Sequence, residues 1–182
     1  ASPTTVLATV TSGQTYTHSS LTNGTKYYYR ISAVDNNGNE SAKTSDVSAV
    51  PAPQKYAVKK DGTGDYTTIQ AAIDVAINGD TVYVSAGAYQ EQLNIVSKSI
   101  SLIGEDSSNT IIEWTNGGVL TLENGLNSYE PLIKNLTIKG GASDTCGGIC
   151  IGDFGSPVLE KVRIVNNTTF ANEDGSNDKF GI

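Results

Sequence analysis

Methionine is absent from this chain, and charged side chains make up only 17% of it, below the ~25% usual for a soluble domain. Glycine, serine, threonine and asparagine fill the gap. That mix suits short strands joined by many turns and excludes a helical bundle. No apolar run reaches the about 18 residues that a transmembrane helix needs, so membrane insertion is not expected. Basic residues are few: 12 Lys and Arg stand against 19 Asp and Glu, for a net charge of -7 and a pI near 4.6. Such a balance argues against nucleic acid, whose phosphates require Lys and Arg, and against anionic membranes. Histidine occurs once, as His18 in a Ser/Thr-rich stretch, where it reads as an exposed strand or loop residue. Cysteine occurs twice, as Cys146 and Cys150. With no second pair and no clustered histidine, C-x-x-x-C is not a zinc pattern, and no metal ligands are assigned. In one straight strand the two sulfurs would lie too far apart to bridge. We expect inward-facing free thiols that fill the core. The alternative is a disulfide, formed if Gly147-Gly148 folds the chain back.

What is present divides at Pro51-Ala52-Pro53, giving residues 1–50, a proline linker at 51–55 and residues 56–182. Before the linker, Thr15-Tyr16-Thr17 is a short strand signal and Leu21 to Thr25 a turn. Lys26 to Val34 then alternates, with Tyr27, Tyr29, Ile31 and Ala33 on one face. Asp35 to Glu40 is a polar turn, and residues 44–50 return as a strand. Asp35, Asn37, Asn39 and Asp46 occupy positions 1, 3, 5 and 12 of a calcium-loop template, but no glycine stands at position 6 and no glutamate at 12. A plain polar turn explains the same residues better. The string from Leu21 to Asp35 resembles the C-terminal half of a fibronectin type III domain. A full sandwich of that kind needs about 100 residues. Its first strands would therefore be missing, leaving a bare face and edge. The resemblance implies either a longer chain or strands supplied by another chain.

After the linker the pattern changes. Asp61-Gly62-Thr63-Gly64-Asp65 is a glycine turn. Thr67 or Thr68 can cap a helix whose apolar face is Ile69, Ala72, Ile73 and Ala76. Asn78-Gly79-Asp80 stops it. Short period-two segments then recur: Val82–Val84, Leu93–Ile95, Ile100–Gly104, Thr110–Ile112, Val119–Leu122, Leu136–Ile138, Ile149–Ile151 and Val162–Ile164. Their spacing predicts coils of roughly 20 to 35 residues, as in a solenoid with variable turns. Leu136–Ile138 and Val162–Ile164 read as one strand position a coil apart, and Val119–Leu122 and Gly148–Ile151 as another. Asn135, Asn166 and Asn167 suit tight turns, where asparagine tolerates the left-handed region. Phe180-Gly181-Ile182 looks like the start of a further strand, so the C-terminus reads as an interior point of a longer chain.

The string from Asp61 to Asp74, followed by Gly79 to Tyr89, resembles the N-terminal cap and first coil of the pectin lyase and pectinesterase superfamily. The resemblance implies an all-β fold, a right-handed parallel β-helix with a short capping helix that plugs one end of the core. It also implies work on polysaccharides outside the cell. Pectinesterases of this kind use paired carboxylates, an Arg and Gln residues on later coils. Here no Gln follows Gln92, and no Gln-Asp-Thr or Gly-Arg-Pro-Trp segment occurs. Related lyases need calcium held by carboxylates beside a Lys or Arg. The only candidates are Asp144, Asp153, Glu160, Lys161 and Arg163. No catalytic residue is therefore assigned, no cofactor is expected, and calcium stays open as a bridge to an acidic glycan. An acidic loop follows at Glu173 to Asp178.

Carbohydrate contact is assigned to Trp114, Lys139 and Arg163, with Tyr83, Tyr89 and Tyr129 as further stacking candidates. Arg163 alternates with Val162 and Ile164, which turns it outward, beside Lys139 one coil below. Trp114 has coil-edge packing as its alternative. Glycosylation sequons stand at Asn23, Asn39, Asn135, Asn166 and Asn167. Three functions are compatible with these features. The first is a non-catalytic scaffold or adhesin on a bacterial surface or secreted, touching polysaccharide or cell-surface glycan. The second is the front of a polysaccharide lyase or esterase whose site lies beyond residue 182. The third is a self-assembling fibre subunit completed by its neighbours.

Overall fold

The computed structural model describes residues 3–19, 21–123, 130–144, 146–152 and 156–169. Two compact units result, Ala1–Ala52 and Pro53–Ile182. In the first, β1 (Tyr27–Tyr29) pairs antiparallel with β2 (Val47–Ala49). The ribbon continues through bonds from Thr44 N to the Ile31 carbonyl and from Ser41 N to the Ala33 carbonyl. Asp35 closes its turn by accepting from the amides of Asn37 and Asn39 and from Asn39 Nδ2, at 2.8–2.9 Å. Tyr27 and Tyr29 are half-buried under the edge of His18, whose Nδ1 lies 2.9 Å from the Tyr29 hydroxyl. Thr15–Thr17 forms no strand, and Ile31, expected on the same covered face, is 73% exposed. None of the described residues of this unit is buried.

The second unit is a parallel β-solenoid of about four turns. It begins with β3 (Lys55–Val58) and α1 (Ile69–Val75). Then come β4 (Thr81–Val84), β5 (Gly87–Gln90), β6 (Leu93–Val96), β7 (Ser101–Gly104), β8 (Thr110–Glu113) and β9 (Leu120–Glu123). Further along are β10 (Leu132–Lys134), β11 (Thr137–Lys139), β12 (Ala142–Ser143) and β13 (Ile149–Ile151). β14 (Val158–Glu160), β15 (Arg163–Val165) and β16 (Thr168–Thr169) complete it. Three parallel sheets run along the stack, ordered β14-β10-β7-β4-β3, β15-β11-β8-β5 and β13-β9-β6.

Register stacks each coil's strands in parallel on those of the coil below. Tyr56, Val82, Leu102, Ile133 and Leu159 form one inward column, and Tyr89, Ile112, Ile138 and Ile164 a second. Leu93, Leu120 and Ile149 form a third. Repeats of 20 to 31 residues separate the members of each column. Most of these side chains are fully buried, and their removal from water is the main stabilising term. Asn135 and Asn166 turn the corners with φ of 55° and 54°. Asn167 instead ties two coils together, accepting from Gly141 N and donating to the Ile138 carbonyl.

At the N-terminal base the first strand of each sheet has a bare edge, and a side chain or a folded-back segment covers each one. On β3, the Asp65 carboxylate accepts from Ala57 N at 2.7 Å, while the Ala57 carbonyl accepts from the amides of Asp65 and Tyr66. On β5, Lys60 Nζ donates to the Ala88 carbonyl at 2.7 Å. On β6, the Gln70 side chain both accepts from Asn94 N and donates to the Asn94 carbonyl, taking the place of a neighbouring strand. The glycine turn fits this task. Asp61 accepts from the amide and hydroxyl of Thr63, Gly62 sits at φ 78°, and Gly64 passes so close to Ala57 that a side chain there would meet the Ala57 carbonyl. Burial of Ile69, Ala72, Ile73 and Ala76 lays the helix over the core. Thr68 stands at the N-cap but makes no side-chain cap bond. Glu91 replaces it, its carboxylate accepting from the amides of Ile69 and Gln70 at 3.0 Å.

Candidate functional site

The residues assigned to carbohydrate contact lie on or beside the sheet β5-β8-β11-β15. Between the inward side chains of this sheet run two outward columns. One is Ala88, Ile111, Thr137, which is covered and donates its hydroxyl to the Ser107 carbonyl, and Arg163; the other is Gln90, Glu113, Lys139 and Val165. Arg163 is outward and exposed, but it stacks over Thr137. It is thus two register positions away from Lys139 and not directly above it. Lys139 Nζ instead faces Glu113 Oε2 one coil below, at 3.5 Å. That pair is solvated on both sides, so its energetic worth is small, about 0.2–1 kcal/mol.

Trp114 follows β8. It is half-buried and packs on the core, while its indole N–H donates to the Asn116 carbonyl at 3.0 Å. This is the coil-edge packing arrangement, with an accessible rim. Tyr89 is no stacking platform: it points inward, is 2% exposed, and its hydroxyl donates to the Ser85 carbonyl. Burial, and secondarily the charge of Glu91, raises its phenol above the ordinary value of 10.0. Tyr83 does point outward, half-buried, with Lys55 Nζ 4.0 Å above its ring. Tyr129, Asp153 and the loop from Glu173 to Asp178 fall outside the described residues, as does Phe180-Gly181-Ile182.

Among the described residues the carboxylates are dispersed. Glu160 pairs with Lys134 at 2.5 Å on the neighbouring sheet, and Asp46 pairs with Arg30 in the first unit. In the outward columns no carboxylate stands beside another. Among the described residues, no group of three or more His, Cys, Asp or Glu side chains is placed to hold a metal ion. No described helix is long and apolar enough to cross a membrane.

The cysteines do not fill the core as free thiols. Cys146 and Cys150 form a disulfide with Cα atoms 5.6 Å apart. Strand parity turns Cys150 out, because Ile149 continues the inward column and Cys150 falls above Thr121 and Asn94, while Cys146 stays buried. The alternation was visible in the sequence and was sufficient to place Cys150 outside. The bridge rests on Gly118, where any side chain would overlap the Cys150 sulfur.

No protein-family profile matches the chain. It is 33% identical over 104 residues to a probable pectinesterase/pectinesterase inhibitor 59 of Arabidopsis thaliana, covering 50% of this chain and 19% of that protein. A probable pectinesterase/pectinesterase inhibitor 60 of the same plant is 43% identical over 63 residues, covering 30% and 12%. An amylopullulanase of Thermoanaerobacter thermohydrosulfuricus is 58% identical over 38 residues, covering 21% and 3%. The chain thus spans less than a fifth of each of these relatives. Together with the parallel solenoid, the pectinesterase likeness supports a pectin-lyase-like β-helix.

Proposed function

We propose that this chain forms the sealed base and first coils of an extracellular β-solenoid that contacts polysaccharide without performing chemistry in these coils. The observation that carries the reading is the alignment of half the chain with a pectinesterase, on a parallel solenoid. The dispersed outward carboxylates favour contact over catalysis, because glycoside hydrolysis and lyase chemistry both need acidic groups held together. A disulfide persists in oxidising compartments, which supports an extracellular location. Lys139, Arg163 and the rim of Trp114 are the contact residues of this reading, with Lys139 giving up Glu113 for an acidic sugar.

Gel retardation in low-ester pectin, high-ester pectin and pullulan, with and without calcium, tests it, alongside an assay for methanol release. Retardation by a pectin, weakened in a Lys139→Ala/Arg163→Ala double variant and without methanol release, is the expected result. Migration unaffected by every polysaccharide would overturn it. A second reading takes the chain as the front of a carbohydrate-active enzyme whose catalytic groups lie on other coils. The names of the aligned relatives favour it. Methanol release by a longer form of the protein, but not by residues 1–182, would select it.

A further inference from the structure

The turn that follows Cys146, at Gly147-Gly148, is built without side chains. Gly147 and Gly148 lie inside the bridge, and Gly118 and Gly141 lie against it. A side chain on Gly141 would run into the Gly147 carbonyl, and one on Gly147 would meet the Thr168 and Gly141 carbonyls. The loop does carry backbone bonds that matter elsewhere. Val119 N donates to the carbonyls of Gly147 and Gly148, at 3.3 and 3.0 Å, and Leu120 N donates to that of Gly148 at 3.1 Å. These bonds stand where Leu120 enters its ladder with Ile149, so they set the start of the β9–β13 pairing. Side chains also brace the glycines around the bridge, as Gln92 Nε2 donates to the Gly118 carbonyl and Asn167 accepts from Gly141 N, but neither of these two bonds reaches Gly147 or Gly148. The covalent bridge adds a tie across Gly147-Gly148 itself, and glycine has more backbone freedom to lose on ordering than any other residue.

We propose that Cys146–Cys150 is a redox-sensitive clasp that keeps β13 seated on β9. Cys150 is half-exposed in its outward column, whereas Cys146 is 5% exposed, so an incoming thiolate reaches the Cys150 sulfur first. The reductant is a small dithiol. One of its thiolates attacks Cys150 Sγ, and Cys146 leaves as a thiolate and takes a proton. The second thiol then displaces Cys150 from the mixed disulfide. Two electrons pass to the protein, which gains two thiols, and the dithiol departs as its own disulfide. The freed Gly147-Gly148 loop no longer holds its carbonyls on Val119 and Leu120.

Amide hydrogen exchange on the 182-residue chain, oxidised and then reduced with dithiothreitol, tests this. Reduction is expected to speed exchange at Val119 and Leu120 by about tenfold or more, a local opening rather than global unfolding. The amides of Ser101 and Arg163, bonded to the carbonyls of Asp80 and Leu136, should stay unchanged. A Cys146→Ser/Cys150→Ser double variant should show the same pattern without reductant. Unchanged exchange at Val119 and Leu120 would overturn the clasp. Uniform acceleration across all amides would overturn it too, because the bridge would then be a staple for the whole solenoid.

Discussion

Glu91 and Lys98, seven residues apart in the chain, grip opposite ends of the same helix. The Glu91 carboxylate accepts from the amides of Ile69 and Gln70, and Lys98 Nζ donates to the carbonyls of Ile73 and Asp74 at 2.7 and 2.9 Å. Each charge meets the helix end of opposite partial charge. A seven-residue helix is too short to hold itself in water, so these grips and the buried face maintain it.

Glu91→Ala should therefore destabilise the solenoid by about 1–2 kcal/mol, the cost of a lost N-cap plus two orphaned amides. Glu91→Gln, which keeps one acceptor oxygen, should lose less. Urea unfolding of both variants beside the wild type measures the difference. Equal stability of Glu91→Ala and wild type would show that the cap is idle.

Lys98 gives a pH signature. Burial lowers its pKa below the ordinary lysine value of 10.5, with the charges of Asp74 and Asp80 opposing the shift. The unfolded chain then holds the proton more tightly than the folded one. Its contribution to stability should rise as pH climbs from the lowered value toward 10.5. Tyr56 and Tyr89, whose phenols are raised mainly by burial, act in the opposite sense above pH 10. Subtracting the stability profile of Lys98→Met isolates the lysine, and a difference that stays flat from pH 8 to 10.5 would refute its titration.

Gly64→Ala should cost about 1–3 kcal/mol, because the new methyl meets the Ala57 carbonyl and pushes the Asp61–Asp65 turn off the edge of β3. Thermal melts should show it. Gly62→Ala tests a different cause: nothing lies within 4 Å of the added methyl, and only the φ of 78° opposes it.

Lys161 turns its corner at φ 53°, in the place that Asn135 occupies one coil below. A lysine is poorly suited to that region. Lys161→Asn or Lys161→Gly should raise stability by about 0.5–1 kcal/mol. A lower melting temperature for both variants would contradict this.

Much of the solenoid was legible because its inward columns are plain in the sequence. Ile138 with Ile164, and Leu120 with Ile149, are paired by period-two alternation alone. Three strands left weaker traces: β10, with only Leu132-Ile133-Lys134, and two others. β5 reads Gly-Ala-Tyr-Gln, with one large inward side chain, and β14 reads Val-Leu-Glu, with Leu159 alone on the inward face. The helix cap could not be read locally, since Thr67 and Thr68 offer the usual signature while the real acceptor, Glu91, lies 22 residues beyond Ile69. In the first unit the alternation from Lys26 to Val34 is real. Yet only Tyr27–Tyr29 gains a ladder with β2, and Ile31 stays in water. The outward residues were the hardest to place. Arg163 and Lys139 share a face, but the pairing of Ile138 with Ile164 sets them two positions apart, with Arg163 over Thr137.

The covering of the three first strands has a bearing on how the chain comes together. Lys60 reaches Ala88 across 28 residues, the longest span among the bonds that close the base; Gln70 reaches Asn94 across 24 and Lys98 reaches Ile73 across 25. Closing such short loops costs little entropy. The base can therefore form from the first hundred residues alone, and each later turn then meets a finished template on one side and open water on the other. Growth of the stack has a built-in direction, from helix to coil, in the order in which a ribosome delivers the chain.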